Sequence, residues 1–258
     1  MILAVPHLGL RGAIYLLALL EAQQACMRVT ATPEGTRAVL ETLATLGVVD
    51  LVPQAGLPAN ITVGDRLAWV YIWRAVRIEH VYDELVTYLR ELRTDRGHAK
   101  NLTRHWQELL AIEATAYLRH QLRIHGLDAQ LASELPPFFS SPLSRYSLGH
   151  WRYACWAATR KLASKSLQYP GRQEILRQSL VDELARRLPI ALAAVNNRLC
   201  FSPSHSMPPT ALATVFTTIA TSLQDDFWRL PPSIDAICGA ETGDAVTPTP
   251  LNEGRSSS

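Results

Sequence analysis

The strongest constraint on the fold is an N-terminal stretch with helical periodicity that is apolar almost all the way round. Within residues 8–25 one stripe and a set of flanking leucines share this character: Leu10, Ile14, Leu17 and Ala18, widened by Leu16, Leu19 and Leu20. A helix with so wide an apolar face needs other elements to cover it. The sequence therefore predicts a largely buried helix inside an α-rich core.

The same stretch does not fit a membrane span or a cleaved signal peptide. Pro6 lies just before the stretch, and Arg11 and Glu21 interrupt it, so the longest apolar run covers the eight residues 13–20, whereas a span needs about 20. The stretch also lacks a basic start and a clean small-residue cleavage site. We expect no membrane partner.

Cysteine usage bears on the compartment. The four cysteines are scattered without paired spacing: Cys26, Cys155, Cys200 and Cys238. This pattern is typical of a reduced, intracellular chain, because disulfide frameworks use paired cysteines in oxidising compartments. We expect a cytoplasmic protein.

The second helix has clear start and stop signals. Thr32 is suited to the N-cap, Pro33 to the first helical position and Glu34 to the first turn. A core stripe follows, formed by Val39, Leu40, Leu43 and Leu46. Gly47 supplies a residue suited to the left-handed conformation that ends many helices. These signals predict a helix over about 33–46.

A short hairpin is predicted next. Residues 48–52 include three β-branched valines, 53–60 are rich in turn formers, and 61–73 contain a second strand pattern. The segment LETLATLGVVDLV resembles the end of a winged-helix recognition helix running into its wing, which implies a winged-helix-like region over residues 1–72. The chain departs from that family because about seven residues separate the first two helices, too few for the usual intervening helix. Arg37 is also the presumed recognition helix's only basic residue.

The rest of the chain, 73–238, reads as a helical domain. Two long helices are predicted between 74 and 125, and a proline-rich connector covers about 126–144. Helices at about 147–167, 172–188 and 209–224 follow, and the hydrophobe-poor tail 239–258 is expected to be disordered. We therefore predict a mainly α protein with one small β-hairpin.

Charge is unevenly distributed along the chain. The formal net charge is only +2, yet residues 145–177 carry seven basic side chains against Glu174 alone. Successive helical residues turn by about 100°, which places Leu148, Trp151 and Cys155 on a core stripe. Trp156 and Arg160 fall on another side, four apart and able to form a cation–π pair. Cations beside aromatic rings are what a surface needs to stack bases and neutralise phosphates.

These residues define a predicted basic-aromatic face. Its members are Arg145, Arg152, Tyr153, Trp156, Arg160, Lys161, Lys165, Arg172 and Arg177. The same pattern allows another interpretation, an amphipathic helix whose second side, Trp156 included, packs on a neighbouring helix while the lysines are solvated. Arginine-aromatic pairs are also common at protein interfaces.

Motifs for catalysis and metal binding are weak. His120 and His125 are five residues apart, whereas metal pairs on a helix use three or four. Cys200 and His205 lie close in sequence, but neither a strand-turn-helix elbow nor an orienting carboxylate accompanies them. The chain has neither a glycine-rich phosphate loop nor a zinc pattern. We expect no cofactor, no metal and no enzymatic activity.

Together these features favour a non-enzymatic nucleic-acid-binding protein, a regulator or a subunit of a nucleoprotein complex, that contacts DNA or RNA through the basic-aromatic face. The alternative is a helical adaptor or scaffold subunit of a multiprotein complex. Such an adaptor would bind a protein partner and make no direct contact with nucleic acid.

Overall fold

A computed structural model describes residues 5–51, 69–74, 76–132, 145–194, 198–202 and 207–239 of the 258. This part of the chain is mainly helical and contains one two-stranded antiparallel sheet. The predicted fold class is confirmed at this level.

The elements follow one another in chain order. They are α1 (Gly9–Gln24), α2 (Pro33–Thr45), β1 (Val49–Leu51), β2 (Trp69–Tyr71), α3 (Ile78–Thr94), α4 (Ala99–Ile124), α5 (Leu148–Ser166), α6 (Gln173–Ala193), α7 (Ala211–Val215), α8 (Asp226–Arg229) and α9 (Ile234–Gly239). A π-helical turn, Phe216–Ala220, continues α7.

Helix α1 is the predicted buried helix. Eleven of its 16 residues are buried, and α2, α3 and α7 pack around it. The stretch Val5–Gln24 is long and apolar enough to cross a membrane by length and composition, but 67% of its most apolar window is buried inside the protein. A buried core helix passes the same test, so this finding is weak support for a membrane span.

Helix α2 confirms the capping prediction. The Gly35 amide donates to Thr32 Oγ1 at 3.1 Å, and Pro33 occupies the first helical position. Gly47 has φ +68° just beyond the helix end. The prediction that Leu46 belongs to the core stripe is wrong, since its side chain is 41% exposed. The reason is its position, because Leu46 is the C-cap residue at which the chain leaves the helix.

The hairpin prediction is confirmed as far as its strands. Val49 pairs with Tyr71 and Leu51 with Trp69 in antiparallel register. The predicted turn, 53–60, lies outside the described residues. Residues 25–32, between α1 and α2, form turns and bends without a helix. The winged-helix assignment itself stays a prediction.

Helices α5 and α6 form a hairpin joined by residues 167–172. Helix α5 also packs on α4 and α8. The predicted end of α6 at 188 is wrong, because the helix continues through Pro189 to Ala193. Leu188 and Ala191 are buried on either side of the proline. Their packing offsets the hydrogen bond that a proline removes from a helix.

One hydrophobic cluster extends from Val5 to Ile237, so elements from both ends of the chain share a core. The predicted helix at 209–224 is shorter than expected, since the α7 and π-helical segment ends at Ala220. Residues 133–144 of the connector and 240–258 of the tail lie outside the described residues. The predicted domain boundaries are therefore not tested.

Candidate nucleic-acid interface

The N-terminus of α5 is fixed by a reciprocal cap. The His150 amide donates to Ser147 Oγ at 3.3 Å, while the Ser147 amide donates to His150 Nδ1 at 3.2 Å. Each bond satisfies an amide that the first helical turn leaves without a helical partner. Ser147 was predicted as the N-cap, and this is confirmed. The cap sets where α5 begins and therefore which side of it faces the core.

The predicted core stripe of α5 is confirmed. All of its members are buried: Leu148, Trp151, Cys155, Ala158, Thr159 and Leu162. Burial extends well beyond this stripe, because eleven of the first twelve residues of α5 are buried. Only the last two turns of the helix therefore offer a broad exposed surface.

Arg152 lies in the core, not on the predicted basic-aromatic face. Its side chain is 1% exposed, and its guanidinium carbon lies 4.5 Å from the ring centroid of Trp228 and 5.2 Å from that of Tyr117. Arg152 Nη1 donates to the Ser202 carbonyl oxygen at 3.4 Å. A side chain so enclosed cannot neutralise a phosphate on the protein surface. The expectation that Arg152 lies on an exposed face is wrong.

Glu113 on α4 supplies the charge that compensates Arg152. It is also buried, and it accepts a hydrogen bond from Thr210 Oγ1 at 3.1 Å. Burial lowers the pKa of Arg152 and raises that of Glu113, and in each case the partner's opposite charge counteracts the shift. The two residues belong to the packing of α4 against α5 and therefore to the stability of the fold.

Tyr153 and Trp156 belong to a small aromatic cluster. Tyr153 is buried, and its ring centroid lies 5.5 Å from that of Phe201 and 6.2 Å from that of Trp156. Trp156 is half-buried, and Ala191 on α6 completes the cluster. Packing against a neighbouring helix is what the alternative interpretation of α5 predicted for this side. Tyr153 is therefore removed from the exposed surface.

The remaining basic residues fall into two groups at opposite ends of α5. Arg145 is exposed and precedes the helix, where its guanidinium lies 5.8 Å from the Tyr146 ring. Arg172 lies beyond the other end of α5, whose 19 residues span roughly 28 Å at about 1.5 Å per residue. The predicted face is therefore not one continuous surface.

The second group surrounds the end of α5 and the turn into α6. We call it the basic tip and define it by Arg160, Lys161, Lys165 and Arg172. Arg160 lies over the Trp156 ring at 4.8 Å, confirming the predicted cation–π pair. Lys165 Nζ donates to Ser179 Oγ on α6, while Lys161 and Arg172 are exposed.

Arg177, the last predicted residue, contributes little to this tip. Its Nη1 atom donates to Glu174 Oε2 at 2.6 Å, three residues earlier on α6. The carboxylate of Glu174 therefore offsets the charge of Arg177. None of the four residues of the basic tip forms an ion pair with a carboxylate in the described part of the chain.

Two residues of the tip were missed by the sequence reasoning. Leu167 is 85% exposed and Tyr169 is 40% exposed, and Lys165 Nζ lies 5.9 Å from the centroid of the Tyr169 ring. The signal was present in Tyr169-Pro170-Gly171, because an aromatic residue beside a proline-glycine turn lies at a surface turn. Tyr169 therefore adds an exposed aromatic ring to the basic tip.

A cluster of polar side chains also forms beside the α5 cap. Ser147 Oγ lies 2.9 Å from His150 Nδ1 and 3.5 Å from Cys200 Sγ. Ser147 and His150 are buried and already used in capping. His205, the other half of the weak Cys200 motif, lies outside the described residues. The cluster is accounted for by helix capping.

The described ranges also lack a cluster of metal-binding side chains. His120 and His125 are each half-buried on α4 or at its end. Among the residues that the structure describes, no three His, Cys, Asp or Glu side chains gather in a way that could hold a metal ion.

The site is thus reduced to the four cations and the aromatic ring of the α5–α6 tip. Comparisons of the chain with protein-family models, with curated proteins and with solved structures find no match.

Proposed function

We propose that this chain is a cytoplasmic, non-enzymatic nucleic-acid-binding protein that contacts its ligand through the basic tip. It would act as a regulator or as a subunit of a nucleoprotein complex. The main support is a local excess of positive charge. Residues 160–178 contain five basic side chains and one acidic side chain, Glu174, for a net charge of +4. A cluster of exposed cations is the electrostatic requirement for phosphate binding.

Helix stabilisation explains only part of this cluster. Cations in the last turn of a helix interact favourably with its negative end, which accounts for Lys165. Arg172, however, is the N-cap residue of α6 and lies where the helix end is positive. A cation there is electrostatically unfavourable for the helix. The position of Arg172 therefore supports a role in binding.

The winged-helix-like region has a different role in this proposal. The exposed side of α2, the presumed recognition helix, carries Glu34 and Glu41 against Arg37. Arg119 on α4 donates to Glu34 at 2.8 Å. Such a surface is poorly suited to phosphate contacts. We propose that this region contacts protein and that the basic tip contacts nucleic acid.

The test is a fluorescence anisotropy titration of the full chain with labelled single-stranded and duplex oligonucleotides at two salt concentrations. Four phosphate contacts predict a slope of log K against log salt of about −3 for a single strand and about −3.6 for a duplex. Affinity for the single strand should fall by about 50-fold between 50 and 200 mM salt. The absence of binding to DNA and RNA at low salt would refute the proposal.

A helical adaptor is the second candidate. It is supported by large hydrophobic side chains that remain exposed on the α5–α6 hairpin: Leu167, Tyr169, Ile175, Ile190 and Leu192. Leu167, Tyr169 and Ile175 lie at or beside the turn between the two helices, whereas Ile190 and Leu192 lie near the end of α6. Exposed apolar side chains at one place, as at this turn, are typical of protein contact sites. The test is purification of the chain from its host after nuclease treatment. A stoichiometric protein partner that survives nuclease, with no affinity for oligonucleotides, would favour the adaptor.

A further inference from the structure

We infer that the basic tip binds single-stranded nucleic acid in preference to a duplex. The inference rests on the proposed function and specifies its ligand. It follows from two features of the molecule. Neither α5, which is buried, nor α2, whose exposed side is acidic, is suited to enter a duplex groove, and an aromatic ring is exposed beside the cations.

Proteins that recognise a duplex usually insert a helix or a pair of strands into one of its grooves, and that element must have one long side exposed. Helix α5 cannot do this, because eleven of its first twelve residues are buried against α4, α6 and α8. Helix α2 presents the acidic side described above. Neither of these helices is suited to lie in the major groove.

The tip instead offers the two components of a single-strand site. Tyr169 is 40% exposed, and Lys165 Nζ lies 5.9 Å from its ring centroid. The faces of bases are accessible in single strands and stack on aromatic side chains, while cations nearby neutralise the backbone. A second cation–aromatic pair, Arg160 over Trp156, lies further back along α5. Arg160 and Lys165 lie about 140° apart around the helix, so a strand that contacts both pairs would wrap part of the way round the end of α5.

Because Leu167 is exposed, an anionic membrane is another ligand to consider. It carries negative charge, as nucleic acid does. Membrane-surface helices bury an extended apolar side together with a basic rim. At the tip, the last two turns of α5 offer Arg160 and Lys161 on the surface and half-buried Lys165, and the exposed aliphatic side chains nearby are Leu167 and Ile175. Two aliphatic side chains do not form an extended apolar side. This arrangement favours a polyanion with stacking bases.

The experiment compares a labelled oligonucleotide of about 16 nucleotides, the upper end of single-strand site sizes, with its duplex. We expect tighter binding of the single strand by the full chain. Tyr169→Ala should weaken that binding by roughly tenfold, since one stacked base contributes about that much. Tyr169→Phe should keep the affinity, because the ring is retained. Ile124→Ala, which removes an exposed apolar side chain at the end of α4 and away from the tip, is the matched control and should bind like the unmodified chain.

The outcomes separate this inference from the proposed function. If the unmodified chain binds the duplex as tightly as the single strand or more tightly, and Arg172→Glu weakens that binding, the inference is overturned while the proposed function stands. Single-strand binding that Tyr169→Ala leaves unchanged would have the same consequence. No binding to either oligonucleotide would overturn both. Sedimentation with phosphatidylserine vesicles in the absence of oligonucleotide binding would assign the tip to a membrane and also overturn both.

Discussion

Arg152 provides the sharpest test of the packing around α5. It was predicted as a surface contact, but the structure encloses its guanidinium between Trp228 and Tyr117 and near buried Glu113. Removing one member of a buried pair of opposite charges costs about 3–5 kcal/mol, because the other charge is left without compensation in the core. Arg152→Ala should therefore lower the free energy of unfolding by about that amount.

The assay is urea denaturation followed by far-ultraviolet circular dichroism. The control is Arg160→Ala on the same helix, where an exposed cation–π contact contributes about 0.5–1 kcal/mol. A second variant removes both charges, Arg152→Met with Glu113→Gln. Replacing a whole buried pair by neutral side chains of similar size is often close to neutral, so the double variant should be more stable than Arg152→Met alone.

Two results would refute this reasoning. One is an Arg152→Ala variant whose free energy of unfolding falls by no more than that of Arg160→Ala. The other is additivity in the double variant, which would mean that Arg152 and Glu113 do not interact. The first result would return Arg152 to the surface, and the second would mean that Glu113 does not compensate its charge.

Further predictions concern pH and packing. Burial raises the pKa of Glu113 above its ordinary value of 4.5. The contribution of its protonated form to stability is therefore present below pH 4.5 and is lost as the pH rises through the raised pKa. In urea denaturation across pH, the unmodified chain should lose more stability than Glu113→Gln over this range, and parallel profiles would contradict this. A Cβ on Gly149 would overlap Cys200 Sγ and lie 3.0 Å from the Phe201 backbone, so Gly149→Ala should lower the free energy of unfolding by about 1–3 kcal/mol. Gly239→Ala, where a Cβ meets open space, is its control, and equal stability of the two would count against the packing. The Tyr71 hydroxyl donates to the Val76 carbonyl oxygen at 2.9 Å, and burial raises the pKa of Tyr71 to about 12. In an ultraviolet titration of the tyrosines, Tyr71→Phe should therefore lack the ionisation step at the highest pH, and an unchanged curve would contradict this.

Local signals were enough to predict much of the helical framework. Thr32 and Ser147 are caps because their side chains accept hydrogen bonds from nearby amides, an interaction set within four residues of chain. The core stripe of α5 follows from helical geometry alone. Leu46 shows the limit, because whether it faces the core depends on the residue at which α2 ends, and helix ends vary by a residue or two.

The site could be predicted only in part, because exposure depends on distant residues. Arg152 is buried because Glu113 and Trp228, far from it in sequence, compensate its charge and cover its guanidinium. Neither partner can be identified from the helical pattern around Arg152. Tyr169 was overlooked for the opposite reason, since attention to the helix left out the turn beyond it. Charge counting therefore identified a stretch rich in cations but not which of its side chains are exposed.

A matched pair of charge reversals tests the proposed function most directly. Arg172→Glu and Arg145→Glu change the net charge equally, but they lie at opposite ends of α5, and Arg172→Glu also places a favourable charge at the start of α6. Loss of binding in Arg172→Glu would therefore not reflect a weakened helix. Anisotropy titration with a single-stranded oligonucleotide should show roughly tenfold weaker binding for Arg172→Glu and a shallower salt dependence. Arg145→Glu should bind like the unmodified chain. Equal losses in both variants, or no loss in either, would contradict a nucleic-acid site at the basic tip.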